Sequence, residues 1–252
     1  MRRPIWLALA AGTLLAGTAG PSSAQSAGQG YLFHSPVVTL TVRGGYARAN
    51  AGSDVFDDVT SDLTLDRGDF SSITAAGDVT LHVRPRVDLV FSGAFSRSNH
   101  KSEFRDLIGN DNLPIEQTTT FERIPLTANV RINLAPSGRS IGRLAWIPSR
   151  VVPYVGAGLG AMRYRFRQEG DFVNYTTNAV FPAVLDTETS GSSWALVGQA
   201  MAGVDYNLST HLGIALDARY LYARCELGPS FSGYERIDLS GMNATVGLSF
   251  RL

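Results

Sequence analysis

The chain has 252 residues, which suits one large all-β domain or a small two-domain protein. Its 22 basic and 22 acidic residues balance, and the chain without Arg2 and Arg3 is slightly acidic, which argues against a nucleic-acid partner. Cys225 is the single cysteine, which excludes an internal disulfide and a cysteine-based zinc cluster.

The N-terminal 24 residues have the pattern of a secretory signal peptide. Arg2 and Arg3 precede an apolar run over residues 5–17, and small residues follow up to Ala24. The alternative is an uncleaved membrane anchor, but a spanning helix needs about 20 apolar residues and this run is shorter. We therefore predict cleavage after Ala24, which leaves residues 25–252 as one exported domain.

Beyond the signal peptide, apolar and polar residues alternate with a period of two, the pattern of β-strands with one apolar face. The alternating segments cover residues 38–46, 73–83, 87–96, 123–134, 152–166, 194–206, 212–222 and 243–252. Each reaches the roughly 9–11 residues with which a tilted strand crosses a bilayer. The number of segments is even, and the last one reaches the end of the chain, so we expect the strands to close into a barrel.

The connectors between these segments alternate in length, as in bacterial outer-membrane barrels with short periplasmic turns and long outer loops. The long connectors are residues 49–68, 99–117, 167–192 and 225–236. The connector 135–150 is also long, although it lies on the side of the short turns. Its aromatic and basic residues suit either the inner membrane interface or a turn packed in the lower mouth of the barrel.

Alternation alone does not distinguish a membrane barrel from a soluble barrel of the lipocalin kind, whose apolar face points inward. The apolar face favours the membrane barrel because it ends near the long connectors in aromatic residues, as membrane girdles do. These residues are Tyr46, Phe95, Tyr164, Phe166, Tyr220 and Tyr222.

The polar face combines small residues with charges of both signs, which can pair and fill the narrow interior of an eight-stranded barrel. We predict that the interior charge network consists of Arg43, Asp78, Asp88, Arg131, Arg163, Arg165, Asp205, Asp217, Arg219 and Arg251. The predicted fold is therefore all-β: an eight-stranded antiparallel up-and-down transmembrane β-barrel with a filled polar interior.

Several strands resemble those of small outer-membrane barrels similar to the barrel domain of outer-membrane protein A. The resemblance lies in residues 152–160, 203–206 and 216–220 and in the last strand, 246–252. It implies a barrel in the outer membrane of a Gram-negative-type bacterium, inserted by the barrel-assembly machinery, and we expect a monomer.

The chain departs from this family in two respects. Family members commonly end in an aromatic residue that the assembly machinery reads, whereas this chain ends in Leu252 with Phe250 two positions earlier. The family's namesake also has a peptidoglycan-binding domain after the barrel. This chain ends at the barrel, so the resemblance does not imply that function.

Two local features of the chain lead to further expectations. Ser53 is placed to cap a short helix over residues 54–63 whose apolar residues share one face, so the first long connector forms either a lid over the barrel mouth or a solvated acidic loop. Pro125 lies inside the fourth segment, where proline cannot donate a backbone hydrogen bond. We expect a bulge or a displaced hydrogen bond there.

The sequence suggests no catalytic, cofactor or metal site. His100, Ser102 and Glu103 are residue types that a barrel-class lipid A deacylase uses, but residues this close on one loop seldom form a nucleophile and its base. We expect a non-enzymatic protein with a structural or surface-interaction role. The alternatives are a narrow passive channel for small solutes and an outer-membrane lipid-modifying enzyme.

The alternation of apolar and polar residues places three arginines on the outward faces of their strands, next to the long connectors: Arg48, Arg97 and Arg224. Guanidinium groups pair well with phosphate. We therefore expect them to contact lipopolysaccharide, which with the outer-membrane lipids is the expected partner. The alternative is ordinary snorkelling of long side chains at the rim.

Overall fold

The computed structural model describes residues 30–109, 113–142, 145–174, 183–226, 233–234 and 236–252. The predicted signal peptide, residues 1–24, lies outside the described residues. Residues Tyr31–Leu252 form one compact unit. Its elements are β1 (Val38–Ala49), α1 (Asp54–Asp62), a 3-10 helix (Arg67–Phe70), β2 (Ser72–Arg84), β3 (Val87–Ile108), β4 (Pro114–Asn133), β5 (Gly138–Ile141), β6 (Ala145–Pro148), β7 (Val151–Asn174), β8 (Ala183–Asn207), β9 (Leu212–Cys225), β10 (Ile237–Asp238) and β11 (Gly241–Arg251).

The eight long strands close into one antiparallel barrel. They pair in the order β1-β2-β3-β4-β7-β8-β9-β11. Strand β11 pairs back with β1 from Thr39↔Arg251 to Ala49↔Gly241. Each of the eight strands therefore has a hydrogen-bonded neighbour on both sides, as expected of a closed barrel. The prediction of an eight-stranded antiparallel barrel is confirmed.

The outward residues of the eight strands form an apolar band around the barrel. Within the band every outward residue is aliphatic, aromatic, glycine or proline. The band spans between 7 and 13 residues of each strand, close to the roughly 9–11 residues with which a tilted strand crosses a bilayer. The band consists of the outward residues in the ranges 40–46, 73–83, 87–95, 124–132, 151–161, 194–206, 212–222 and 242–250.

Two of the connectors predicted as long loops are largely strands. β3 and β4 stay paired up to Glu103↔Glu116, and β7 and β8 stay paired up to Asn174↔Ala183. The prediction of loops at 99–117 and 167–192 is therefore wrong for most of the described residues. The hairpins continue above the apolar band because neighbouring strands keep satisfying each other's backbone groups there.

Pro125 interrupts the ladder between β3 and β4 without shifting its register. The two strands pair at Gly93↔Leu126 and again at Ser96↔Arg123, and the positions between these pairs lack ladder partners. The carbonyl oxygen of Phe95, in this gap, accepts a hydrogen bond from the Thr74 hydroxyl at 3.1 Å. The register is the same on both sides of this gap, so the strand accommodates proline by a local interruption of the ladder and without a bulge.

The connector 135–150 contains the hairpin of β5 and β6. The backbone of Trp146 pairs with Leu32 through hydrogen bonds of 2.8 and 2.7 Å. The indole is buried, and a Cβ on Gly138 would lie 2.2 Å from it. An anchor at the membrane interface would expose its ring, so this geometry favours the packed turn.

The lumenal face of β7 approaches β4 so closely that glycine is required at position 160. A Cβ on Gly160 would lie 2.0 Å from the carbonyl oxygen of Leu126. We expect Gly160→Ala to push the strands apart and to lower the free energy of unfolding by about 1–3 kcal/mol. Gly198→Ala is the control, because its Cβ would have its nearest neighbour at 3.8 Å. Urea titration of the barrel in detergent measures both variants, and equal midpoints would contradict the expectation.

Candidate functional site

Four charged side chains from β1, β2 and β9 meet in the middle of the lumen and form the central cluster: Arg43, Asp78, Asp217 and Arg219. Arg43 donates from Nε and Nη2 to the two carboxylate oxygens of Asp78, at 2.8 and 2.9 Å, and from Nη1 to Asp217 at 3.1 Å. Arg219 donates from Nε to Asp217 at 2.6 Å and from Nη2 to Asp78 at 2.9 Å. All four residues are buried. Two guanidinium groups and two carboxylates therefore balance each other.

Neutral side chains complete the hydrogen bonding of the central cluster. The Tyr154 hydroxyl donates to Asp217 at 2.7 Å. The hydroxyls of Ser92 and Thr245 each accept from a guanidinium group at 2.8 Å. Tyr154 was not predicted from the sequence, because the inward and outward positions of β7 were assigned the wrong way round. These neutral partners stabilise the central cluster, because buried charges are tolerated only when hydrogen bonds satisfy them.

A second group of charges, the lower cluster, lies toward the short turns and consists of Asp88, Arg131 and Asp205. Arg131 donates from Nη2 to Asp88 at 2.8 Å and from Nη1 to Asp205 at 3.1 Å. The His82 ring and the Asn133 amide also contact the Asp88 carboxylate, each at 2.7 Å. The Arg131 guanidinium stacks 4.6 Å from the centre of the Tyr154 ring, which connects the two clusters.

Arg251 also points into the lumen, but it has a different kind of partner. Its guanidinium group donates to the side-chain oxygen of Asn207 and to the carbonyl oxygens of Ser209 and Thr210. The structure thus places eight of the ten predicted network residues inside the barrel. Seven of them lie in the two clusters, and Arg251 lies at the lower end.

The prediction is wrong for Arg163 and Arg165, which are exposed on the outer wall of β7. The residues between and beside them, Met162, Tyr164 and Phe166, are buried inside. Tyr164 and Phe166 therefore do not belong to the aromatic girdle either. The physical reason is that a hydrophobic core fills the upper lumen, at the end of the barrel where helix α1 lies, so apolar residues point inward there. The other predicted girdle residues do face outward: Tyr46, Phe95, Tyr220 and Tyr222.

Helix α1 closes the upper mouth of the barrel by packing its apolar face into this core. Phe56 is fully buried, and its ring centre lies 4.7, 5.5 and 5.7 Å from those of Phe70, Phe121 and Phe166. The predicted helix and its position as a lid are confirmed. Ser53 precedes the helix, but its hydroxyl accepts a hydrogen bond from the Asp238 backbone at 3.1 Å and makes no cap.

The outer face of α1 is acidic and is tied to neighbouring segments. The Asp57 carboxylate forms a salt bridge with Arg67. Tyr234 forms a hydrogen bond with Asp58, and burial together with this bond raises the pKa of the Tyr234 phenol above its usual value. Arg67 and Tyr234 thus connect the acidic face of the lid to neighbouring segments.

Little free volume remains around the central cluster. Two cavities flank it, one lined by Thr127 and Gln199 and the other by Arg131 and Asp205, and each has a volume of about 10 Å³. Such a space is at the limit of what one water molecule needs. The lumen therefore has room for isolated water molecules around the cluster.

The residues that suggested lipid-modifying chemistry do not converge. Ser102 is buried and its hydroxyl donates to the Gln117 carbonyl at 3.4 Å, whereas His100 is exposed and Glu103 lies on the opposite face of β3. Among the described residues, no three His, Cys, Asp or Glu side chains form a group that could hold a metal ion. In the same part of the chain, no helix is long and apolar enough to cross a membrane.

Arg48, Arg97 and Arg224 are exposed, and each is the first outward residue above the apolar band on its strand. Arg163 has the corresponding position on β7. The four strands that run toward the upper end, β1, β3, β7 and β9, thus all place an arginine directly above the band.

A closed barrel with an apolar outer band, outward aromatic residues near its upper edge and an ion-paired lumen defines a transmembrane β-barrel. The sequence matches the family model described as outer membrane protein beta-barrel domain over residues 11–251. The chain therefore belongs to this family and is an outer-membrane protein of a Gram-negative-type bacterium.

Solved structures of several small barrels are similar to this chain. Neisserial surface protein A is 10% identical with a TM-score of 0.49, covering 89% of this chain and 98% of its own. OprG of Pseudomonas aeruginosa is 15% identical with a TM-score of 0.49, covering 88% and 99%. Ail of Yersinia pestis is 11% identical with a TM-score of 0.44, covering 87% and 100%. No curated protein matches the chain in sequence.

Loss of one partner should disrupt the central cluster strongly. We expect Asp217→Ala to lower the free energy of unfolding by about 3–5 kcal/mol, because it leaves buried guanidinium charge without its carboxylate. Asp57→Ala removes an exposed, paired aspartate of the lid and should cost less than about 1 kcal/mol. Urea-dependent unfolding of the barrel in lipid vesicles measures both changes.

A double variant separates lost charge balance from lost packing. Asp217→Ala combined with Arg219→Ala removes one charge of each sign, so we expect it to be less destabilised than the sum of the two single variants. Strict additivity of the two single effects would show that the charges do not interact.

Proposed function

We propose that the protein is a non-conducting, non-enzymatic barrel with a structural or surface-interaction role. In this role the transmembrane wall is a rigid support, and the long β3–β4 and β7–β8 hairpins and the lid helix α1 are the parts presented to the outside. We further propose that residues 1–24 are removed as a signal peptide, that the barrel-assembly machinery inserts the barrel, and that the barrel is a monomer.

The central cluster is the observation that carries this proposal. A passive channel needs a continuous water path through the lumen. Here the side chains of Arg43, Asp78, Asp217 and Arg219 are at most 6% exposed and cross the lumen from β1 and β2 to β9. A passing ion would have to separate pairs whose members then lie unpaired in a low-dielectric interior, which is strongly unfavourable.

The lid core supplies a second, independent barrier of opposite chemistry. Phe56, Phe121 and Phe166 are at most 2% exposed and fill the upper lumen above the charges. These aromatic rings offer hydrated ions no replacement for their water, and the nearby charge is the buried Arg123 guanidinium, 5.3 Å from the centre of the Phe121 ring. Displacement of the lid alone would leave the ion pairs in place, so we expect that movement of the lid does not open the lumen to ions.

Planar-bilayer recording tests the proposal. We expect the wild-type barrel to show no stepwise conductance, because both barriers are present. A variant that lacks residues 53–66 should also be silent, because the central cluster remains intact. The mobility difference between unboiled and boiled protein in SDS electrophoresis verifies that both proteins are folded.

Stepwise conductance of the wild type would contradict the proposal and favour the passive channel. Conductance of the lid-deleted variant alone would also contradict it, since the lid would then be the gate of a channel. Release of acyl chains from lipid A by the purified barrel would contradict the non-enzymatic role.

A further inference from the structure

The arginines on the outer wall are spaced around the barrel. On β1, β3, β7 and β9 the first outward residue above the apolar band is Arg48, Arg97, Arg163 and Arg224, respectively. Neighbouring strands lie about 4.8 Å apart, so arginines on every second strand recur at intervals of about 10 Å. Each of the four strands that run toward the upper end thus has an outward arginine directly above the apolar band.

The arginines of the outer wall differ in their partners from those of the central and lower clusters. Arg43, Arg131 and Arg219 in the lumen all form salt bridges with carboxylates. Among the described residues, no carboxylate oxygen lies within the 4.0 Å salt-bridge distance of the outward arginines Arg48, Arg97, Arg163, Arg165 and Arg224. The outer guanidinium groups are therefore available to a partner outside the chain.

Positive charge is densest on the face formed by β3, β4 and β7. Arg97 and Arg165 lie in register on either side of Glu122, and Arg163 lies two residues before Arg165 on the same outward face. Arg97, Arg163 and Arg165 are exposed and form what we call the arginine patch. Three guanidinium groups and one carboxylate give this patch an excess of positive charge.

The wall directly below the arginine patch is apolar and exposed. Leu126 on β4 is 50% exposed and Leu159 on β7 is 66% exposed. Trp194 lies in register with Arg163, at the height where aromatic residues mark a membrane interface. A molecule that fits both regions has acyl chains below this height and anionic groups directly above it.

We infer that the arginine patch binds the phosphorylated sugar headgroup of lipopolysaccharide, with the acyl chains of lipid A lying along Leu126 and Leu159. Guanidinium groups suit this ligand because each presents two parallel N–H donors to a phosphate. The inference adds Arg163 and Arg165 to the lipopolysaccharide contact expected from sequence and centres it on β7. It does not depend on the non-conducting role, since a channel could have the same site.

Simple snorkelling makes a different prediction from a lipid site. Arginines that only extend to the interface interact with any anionic lipid and do so independently of one another. A site for two phosphates on one headgroup favours lipid A over a lipid with one phosphate, and it depends on the neighbouring arginines together.

Native mass spectrometry of the detergent-solubilised mature barrel, titrated with lipid A that has both phosphates, tests the inference. We expect Arg97→Ser/Arg163→Ser/Arg165→Ser to weaken binding by about tenfold or more, because several charge-assisted hydrogen bonds are lost. Arg84→Ser/Arg86→Ser/Arg139→Ser is the control. It removes three exposed arginines at the opposite end of the barrel and should change the affinity by less than about twofold.

Three further probes identify the ligand. Dephosphorylated lipid A and phosphatidylglycerol should each bind about tenfold more weakly than lipid A with both phosphates. Inorganic phosphate should compete only weakly, because it lacks acyl chains. Equal binding of phosphatidylglycerol would overturn the inference in favour of a general anionic interface, and equal binding of inorganic phosphate in favour of a free-anion site.

A variant that leaves every arginine in place keeps the inference testable if the triple variant does not fold. Glu122→Gln removes the carboxylate inside the arginine patch, so we expect tighter binding of lipid A by several fold. Unchanged affinity in this variant, or equal loss in the triple variant and its control, would overturn the inference.

Discussion

Balanced ion pairs in the central cluster make a polar barrel interior compatible with an apolar outer wall. A barrel with an apolar outer band needs an interior that satisfies its own polar groups, because the surrounding lipid offers no hydrogen bonds. Arg43 and Arg219 share Asp78 and Asp217, so each charge has two opposite charges as neighbours. This arrangement fills the lumen, links β1, β2 and β9 across it, and leaves little room for water.

Above the central cluster the same barrel changes its inner chemistry. The strands continue beyond the apolar band, and their inner faces carry aromatic residues such as Tyr164 and Phe166, with the buried Arg123 guanidinium bonded to the carbonyl oxygens of Leu239 and Ser240. Helix α1 completes this region as it would a soluble protein core, with Phe56 at its centre. The outer face changes in the opposite sense, because on β1, β3, β7 and β9 the outward position directly above the band is an arginine. One strand such as β7 therefore serves two environments with an unbroken alternation of inward and outward residues.

Alternation made the strand number, the closed barrel and most of the lumenal charges predictable from sequence. It failed on β7 because Gly156, Gly158 and Gly160 have no side chain to reveal which face points inward. The inward and outward positions of β7 were therefore assigned from its upper end, where the apolar residues point inward. This assignment placed Arg163 and Arg165 inside the barrel and Tyr154 outside it. The upper hairpins were also missed as strands, because above the band the outward residues are polar and the two faces no longer contrast. The acidic connector between β1 and β2 was predictable as a helix because its apolar residues recur on one face.

Exchange of the guanidinium Nε hydrogens, followed by NMR on the barrel in lipid nanodiscs, measures whether the ion pairs keep the lumen closed to water. Arg43 and Arg219 each donate from Nε to a buried carboxylate, whereas Arg84 is exposed at the opposite end of β2 from the lid. We expect the Nε hydrogens of Arg43 and Arg219 to exchange at least about a hundredfold more slowly than that of Arg84, because exchange requires opening of the ion pairs. Exchange of all three at similar rates would show that water reaches the central cluster freely and would contradict a closed, ion-paired lumen.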